Sequence, residues 1–253
     1  MSYREDRPCR AVARLILRGS VSVHLRRGDV PRLTVVATDA KHAEQVSTRW
    51  DADALEITGE SGTTIVIGGG TRIVASGGSI ACAGDLHISH GGRVHQHFHG
   101  PVHAVVGGDI YVDGKRVDPD HKGAIVSAPG PLRVELELPA IPAVVLRGSG
   151  DLRIDDVSQD GLHIAVIGSG DVDVAGRATH FTLELSGSGD VDARDLQAEH
   201  ADVSLVGSGD VHVYAAASIR CTLAGSGDIV VHGNPPQRSD RVRGSGDILY
   251  RPK

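Results

Sequence analysis

A chain of 253 residues with 33 glycines, a hydrophobic content of 40% and only seven aromatic residues can bury a core, but one of thin aliphatic layers and tight turns. That mix suits stacked strands better than helices. A net charge of −6 without a basic cluster gives nucleic acid no electrostatic footprint, so none is expected as a partner, and no apolar run is long enough for a membrane span.

Residues 1–10 are polar and charged and are expected to be disordered; the apolar stretch after them is interrupted by Arg14 and Arg18, so no signal-peptide core is legible. Cys9, Cys82 and Cys221 are an odd set without metal or disulfide spacing, as in a reducing compartment, and the cytoplasm is the default location. From residue 11 to 60 the pattern is of short alternating strands, Ala13–Leu17, Val21–Leu25, Leu33–Val36 and Ala54–Ile57, each bounded by Gly, Pro or Asp. Ala40 to Arg49 is either one helical turn or a loop.

Residues 61–139 are rich in Gly and His and carry imperfect copies of a Gly-Asp-aliphatic unit, at Gly84-Asp85-Leu86 and Gly108-Asp109-Ile110. The 42 residues from Asp109 to Asp151 are close to two repeats. This region is expected to form irregular coils of the same solenoid, the alternative being a looped insertion. Seven of the 14 histidines fall between His87 and His121. His95, His97 and His99 would share one face of a strand, with His103 or His87 completing a set, a pattern that suits a transition metal such as zinc. Equally, the stretch is read as an exposed polar or pH-sensitive surface.

From residue 140 to 253 the repeat is regular. Gly148-Ser149-Gly150-Asp151 returns at Gly168, Gly187, Gly207, Gly225 and Gly244, with spacings of 20, 19, 20, 18 and 19 residues and always an aliphatic residue next. A period of this size marks a solenoid whose units bury their apolar faces against neighbouring copies. Alignment on the tetrad gives inward columns at Leu152, Val172, Val191, Val211, Ile229 and Ile248, and at Leu146, Val166, Leu185, Leu205, Leu223 and Val242. Residues between them, Arg153, Asp173, Asp192 and His212, face out by period-2 alternation. The pattern is an all-β parallel β-helix (β-solenoid) with about 19–20 residues per coil, in which residues 11–253 make one domain and the variable third side, such as 155–161, is looped. Asp240 breaks an inward column, as in a terminal coil that opens to solvent or caps the stack, while Cys221 continues that column as a small core residue.

Glycines flanking a serine permit a sharp corner. The aspartates after them, Asp151, Asp171, Asp190, Asp210, Asp228 and Asp247, would stack at about 4.8 Å, where like charges repel by roughly 1 kcal/mol per pair in water. Turn amides donating to the carboxylates would offset this, as would calcium bound along the ladder. Six equal copies speak for architecture rather than an active site, which needs divided acid and base roles. No catalytic residue is assigned. The glycine runs 68–70 and 107–108 lack the residues of a phosphate loop and are read as turns.

The serial Gly-Ser-Gly-Asp-aliphatic units, Gly233-Asn234-Pro235-Pro236 leading into the last of them, and the strand-rich opening from Ala11 to Ile57 resemble the head GIN domain family of autotransporter-adhesin heads. The resemblance implies a right-handed parallel β-helix and, for many relatives, a cell-envelope or surface location. The function expected is a non-enzymatic scaffold or adhesin-like module presenting an extended surface for protein contacts, self-association through terminal coils included. The alternatives are a carbohydrate-active β-helix enzyme and a metal-binding module at the histidines. Few aromatics argue against a sugar ligand.

Overall fold

The computed structural model describes residues 2–59 and 132–251 in full and, between them, the backbone of strands within 62–127. Cα proximity divides the chain into two units, Met1–Glu60 with Pro131–Lys253, and Ser61–Gly130.

In the first unit the early elements are β1 (Tyr3–Arg7), β2 (Arg14–Gly19), β3 (Ser22–Arg27), β4 (Arg32–Ala37), α1 (Ala40–Ala43), β5 (Val46–Asp51) and β6 (Ala54–Gly59). The second unit holds β7 (Gly62–Ile67), β8 (Thr71–Ser76), β9 (His87–Ile88), β10 (Gln96–His97), β11 (Ile110–Val112), β12 (Lys115–Val117) and β13 (Ala124–Ser127). The first unit resumes with β14 (Arg133–Leu138), β15 (Ala143–Gly148), β16 (Leu152–Gly168), β17 (Val172–Gly187), β18 (Val191–Gly207), β19 (Val211–Gly225), β20 (Ile229–His232), β21 (Gln237–Gly244) and β22 (Ile248–Arg251).

The first unit is a β-solenoid of about five turns, as the repeat predicted. Two stacks share its long strands. One runs β5-β6-β2-β15-β16-β17-β18-β19-β21 and the other β1-β4-β14-β3-β16-β17-β18-β19-β20-β22, parallel except where β5 meets β6, β4 meets β14 and β1 meets β4. Register aligns Leu15, Val144, Ile164, Leu183, Val203 and Cys221 in one column, all fully buried. Leu17, Leu146, Val166, Leu185, Leu205 and Leu223 form the next, likewise buried. Each such aliphatic side chain contributes about 1.5–3 kcal/mol by leaving water, so the columns are the main source of stability.

Three expectations change. Residues 1–10 are not disordered: β1 pairs antiparallel with β4, and Arg7 donates to the carbonyls of Ala43 and Val46. Charged residues suit this edge, where one side of the strand faces water. The third side of the coils is not a loop. β16, β17 and β18 run through it as strands of 16 or 17 residues, bending at register shifts after Ile154, Asp173 and Ala193 while Val157, Ala178 and Ala198 stay buried. Finally, the strands described in 61–130 pair antiparallel with one another, in the orders β13-β7-β8 and β10-β9-β11-β12, instead of continuing the parallel ladder.

The place of that segment in the chain is informative. Gly59 pairs with Gly19, which pairs with Gly148, while Val134 and Leu152 both pair with Val23. β6 and β14 are therefore the two sides of one corner, and residues 60–131 stand in sequence where other coils have Ser-Gly-Asp. The α1 turn is nucleated by Asp39, whose carboxylate accepts from the His42 amide at 2.9 Å.

The carboxy-terminal coil is different from its neighbours. Every residue of β21 is exposed, Val242 included, although the tetrad alignment puts it in the inward column after Leu223; where the neighbouring inner columns should continue stand Arg238 and Asp240, paired with Ile219 and Cys221, so no further coil covers this strand. The Arg238 guanidinium lies 4.0 Å from the centre of the Tyr250 ring, and the Tyr250 hydroxyl donates to the Asp240 carboxylate at 2.7 Å. The apolar column thus ends in a polar cluster.

Candidate functional site

The corners account for the tetrad. At Gly207, φ is 144°, and a Cβ there would stand 1.8 Å from the Gly187 carbonyl oxygen. No other residue fits. That closeness lets the Ser208 amide donate to the Gly187 carbonyl at 2.9 Å, and Ser169, Ser188 and Ser226 repeat the bond on their own neighbouring coils.

The carboxylates form a second ladder. The Asp190 amide donates to Asp171 Oδ1 at 2.9 Å, Asp210 to Asp190, Asp228 to Asp210 and Asp247 to Asp228, the last three at 2.8 Å. Each amide lies at a corner between two strands, and the carboxylate of the preceding coil supplies its acceptor. The donor to each aspartate thus comes from the neighbouring coil's turn. Among the described residues no three His, Cys, Asp or Glu side chains converge to hold a metal ion. His95, His99 and His103 lie outside the described residues, as do the side chains of His87 and His97.

Buried Cys221 behaves as core. Burial, with Asp240 and Asp202 adding to it, pushes its thiol up to about 12, so the thiolate is not formed near neutrality.

A groove of about 520 Å³ lies where the third side meets the face preceding the tetrads. Its floor follows Phe181, Ala201 and Ile219, which point into the core. One outward row is His180, His200, Ser218 and Gln237, in register on four successive coils. The other is Thr182, Asp202, Arg220 and Ser239. The His180 and His200 rings stack with centroids 5.0 Å apart, and His200 Nδ1 lies 2.8 Å from Ser218 Oγ. Arg220 approaches Asp202 at 3.5 Å, with both side chains at least half exposed. Arg238 donates to Asn234 Oδ1 at 2.6 Å and to the Pro235 carbonyl at 3.0 Å, which fixes its guanidinium at one end of the groove.

Sequence reading passed over this groove, although a signal existed. His180, His200, Ser218 and Gln237 each stand seven residues before a tetrad glycine, and Thr182, Asp202, Arg220 and Ser239 stand five before. Their outward rows are as periodic as the core columns but chemically varied.

On the other face, the His212 and His232 rings stack with centroids 5.5 Å apart, Nδ1 of the first 3.2 Å from Nε2 of the second. Burial, then His212, Arg194 and Arg251, lower the affinity of His232 for a proton, with Asp192 opposing. Nearby, Asp192 accepts from Arg194 Nε at 2.9 Å.

Residues 126–235 match the family described as "Putative auto-transporter adhesin, head GIN domain". Over this stretch the chain is similar to a head GIN domain. The match covers the first five of the six tetrads and the groove up to Arg220. Among solved structures, the chain is similar to a "putative adhesin" from Bacteroides fragilis at 16% identity and a TM-score of 0.56, covering 99% of this chain and 97% of that one. A "putative lipid binding protein" from Parabacteroides distasonis, 16% identical over 99% and 96% of the two chains, gives a TM-score of 0.48. A "putative adhesin" from Parabacteroides merdae, 11% identical over 99% and 96%, gives 0.43. At such identities the first of these likenesses is one of fold. No curated protein matches the chain. Among the described residues no helix is long and apolar enough to cross a membrane.

Proposed function

We propose that the solenoid is a non-enzymatic, adhesin-like interaction module that works at the cell surface and contacts a protein partner through the outer face of its coils. The observation that carries this reading is the division of labour within each coil. The tetrad carboxylates, the most reactive-looking groups, serve as acceptors for the neighbouring coil's amides. Variable residues stand in outward rows, two of which line a groove. An identical corner in every coil gives no divided acid and base roles, while a varied row on a regular scaffold is how repeat proteins build binding faces. The adhesin family supports the surface setting over the cytoplasmic default.

The test exposes the purified full chain to arrays of purified extracellular proteins and of polysaccharides, and assays the polysaccharides for new reducing ends. Saturable binding to at least one protein without release of reducing ends is expected. Cleavage of any polysaccharide, or binding to none of the proteins, overturns the proposal.

A further inference from the structure

We propose that the groove between His180 and Ser239 is the docking site for an acidic segment of the protein partner, held by the Arg220 and Arg238 guanidiniums. This deepens the interaction-module reading and rests on it. The chain as a whole carries a net charge of −6, yet the groove holds two arginines against a single carboxylate, Asp202. A local reversal of sign on an acidic protein selects an anionic ligand and repels the chain's own acidic surfaces.

The two cations are available in different ways. Arg220 is loosely paired, 3.5 Å from Asp202, with 68% of its side chain exposed, and can turn to an incoming carboxylate. Arg238 donates to neutral oxygens, those of Asn234 and Pro235, and rests on the Tyr250 ring; among the described residues no ion pair neutralises it. It is charged and already oriented, so little side-chain freedom is lost on binding. Between them and along the floor, Ser218, Gln237, Ser239 and Thr182 offer hydroxyl and amide donors, and the stacked His180 and His200 offer ring N–H groups.

Four successive strands at about 4.8 Å span about 14 Å along the solenoid axis, the length of four or five extended residues at about 3.3 Å each. An extended peptide laid across the coils would bring one or two carboxylates to the arginines. The groove lining holds no Trp or Tyr, and its one Phe, Phe181, is buried in the core and gives a sugar ring no face to stack on. That favours an acidic peptide over an anionic glycan.

The probe is a fluorescein-labelled hexaglutamate peptide, titrated with the full chain by anisotropy, beside hexalysine and an oligogalacturonate. Saturable binding of hexaglutamate is expected, none of hexalysine, and progressive weakening as salt rises from about 0.05 M to about 0.5 M. Arg220→Glu should weaken binding about tenfold or more, while Arg147→Glu, an exposed arginine outside the groove, should leave it unchanged. Thermal unfolding of Arg220→Glu at the wild-type temperature separates lost binding from lost fold, and Arg220→Gln replaces it if the first variant melts early. Absence of saturable binding, equal weakening by the two charge reversals, or tighter binding of the oligogalacturonate would overturn the proposal. Binding to an arrayed protein that survives Arg220→Glu would retire the groove and leave the interaction module standing.

Discussion

At Asp210 two demands meet. Its carboxylate stands in a column of like charges at about 4.8 Å spacing, and its Oδ1 accepts the Asp228 amide at 2.8 Å. The charge is unfavourable to its neighbours, by roughly 1 kcal/mol per pair in water, whereas the acceptor is needed because the corner amide has no strand partner. Asparagine keeps the acceptor and removes the charge; alanine removes both. Denaturant unfolding should therefore find Asp210→Asn at or above wild-type stability and Asp210→Ala lower by about 1–3 kcal/mol. Equal losses in the two variants would show that charge, not acceptance, matters there. The tetrad was legible because it repeats, but the partner of its carboxylate was not: the bond crosses to a residue 18–20 positions away, and only the stacking register supplies that distance.

Strands differ in how much of themselves they show in sequence. β15 to β19 announce their buried columns through alternation, and each column appears in the structure where the tetrad alignment puts it. β1 and β5 carry charged or polar residues on their open sides and were hidden, because an edge strand has one neighbour and little apolar surface to display. The third side of the coils read as loop for a related reason: bends at Ile154/Val157 and Asp173/Ala175 interrupt the two-residue period without interrupting the pairing. Between β3 and β16, Asp155 accepts from Arg153 at 2.9 Å and lies 2.7 Å from His24 Nε2. The Arg153 hydrogen bond, helped by His24 and opposed by partial burial, holds the Asp155 carboxyl below its ordinary range. A lowered carboxyl value favours the folded state above the unfolded value, about 3.9, and that contribution is lost as pH falls through the folded one. Arg153→Ala, by weakening the shift, should move the acid-unfolding midpoint to higher pH, as followed by circular dichroism; an unchanged midpoint would mean that His24 alone suffices.

The molecule must also stop. A parallel stack exposes a ladder edge and an apolar column at each end, and both invite another chain. At β21 the column is closed by Arg238 and Asp240, bridged by Tyr250, in place of the aliphatic residues found on earlier coils. We expect the double variant Arg238→Ile, Asp240→Val to associate as concentration rises, sedimenting faster than wild type under the same conditions. Identical sedimentation of the two across the range would deny the cap this role. The choice of residues explains why Asp240 stood out in sequence as a break in a column, while its partner ten residues on did not: their meeting depends on the coil folding back.

The insertion at the β6–β14 corner sets an order in time. β2 is paired on one side with β6 and on the other with β15, and β3 lies between β14 and β16. β2 gains its second neighbour only with residues 143–148 and β3 only with residues 152–155, each well over a hundred positions after its own. Contacts so distant in sequence form slowly, because the intervening chain must be closed first. The pairs β1–β4, β5–β6 and β6–β2 are complete within residue 59, so the amino-terminal strands can form a partial sheet early and gain their remaining neighbours only when the tetrad coils are made.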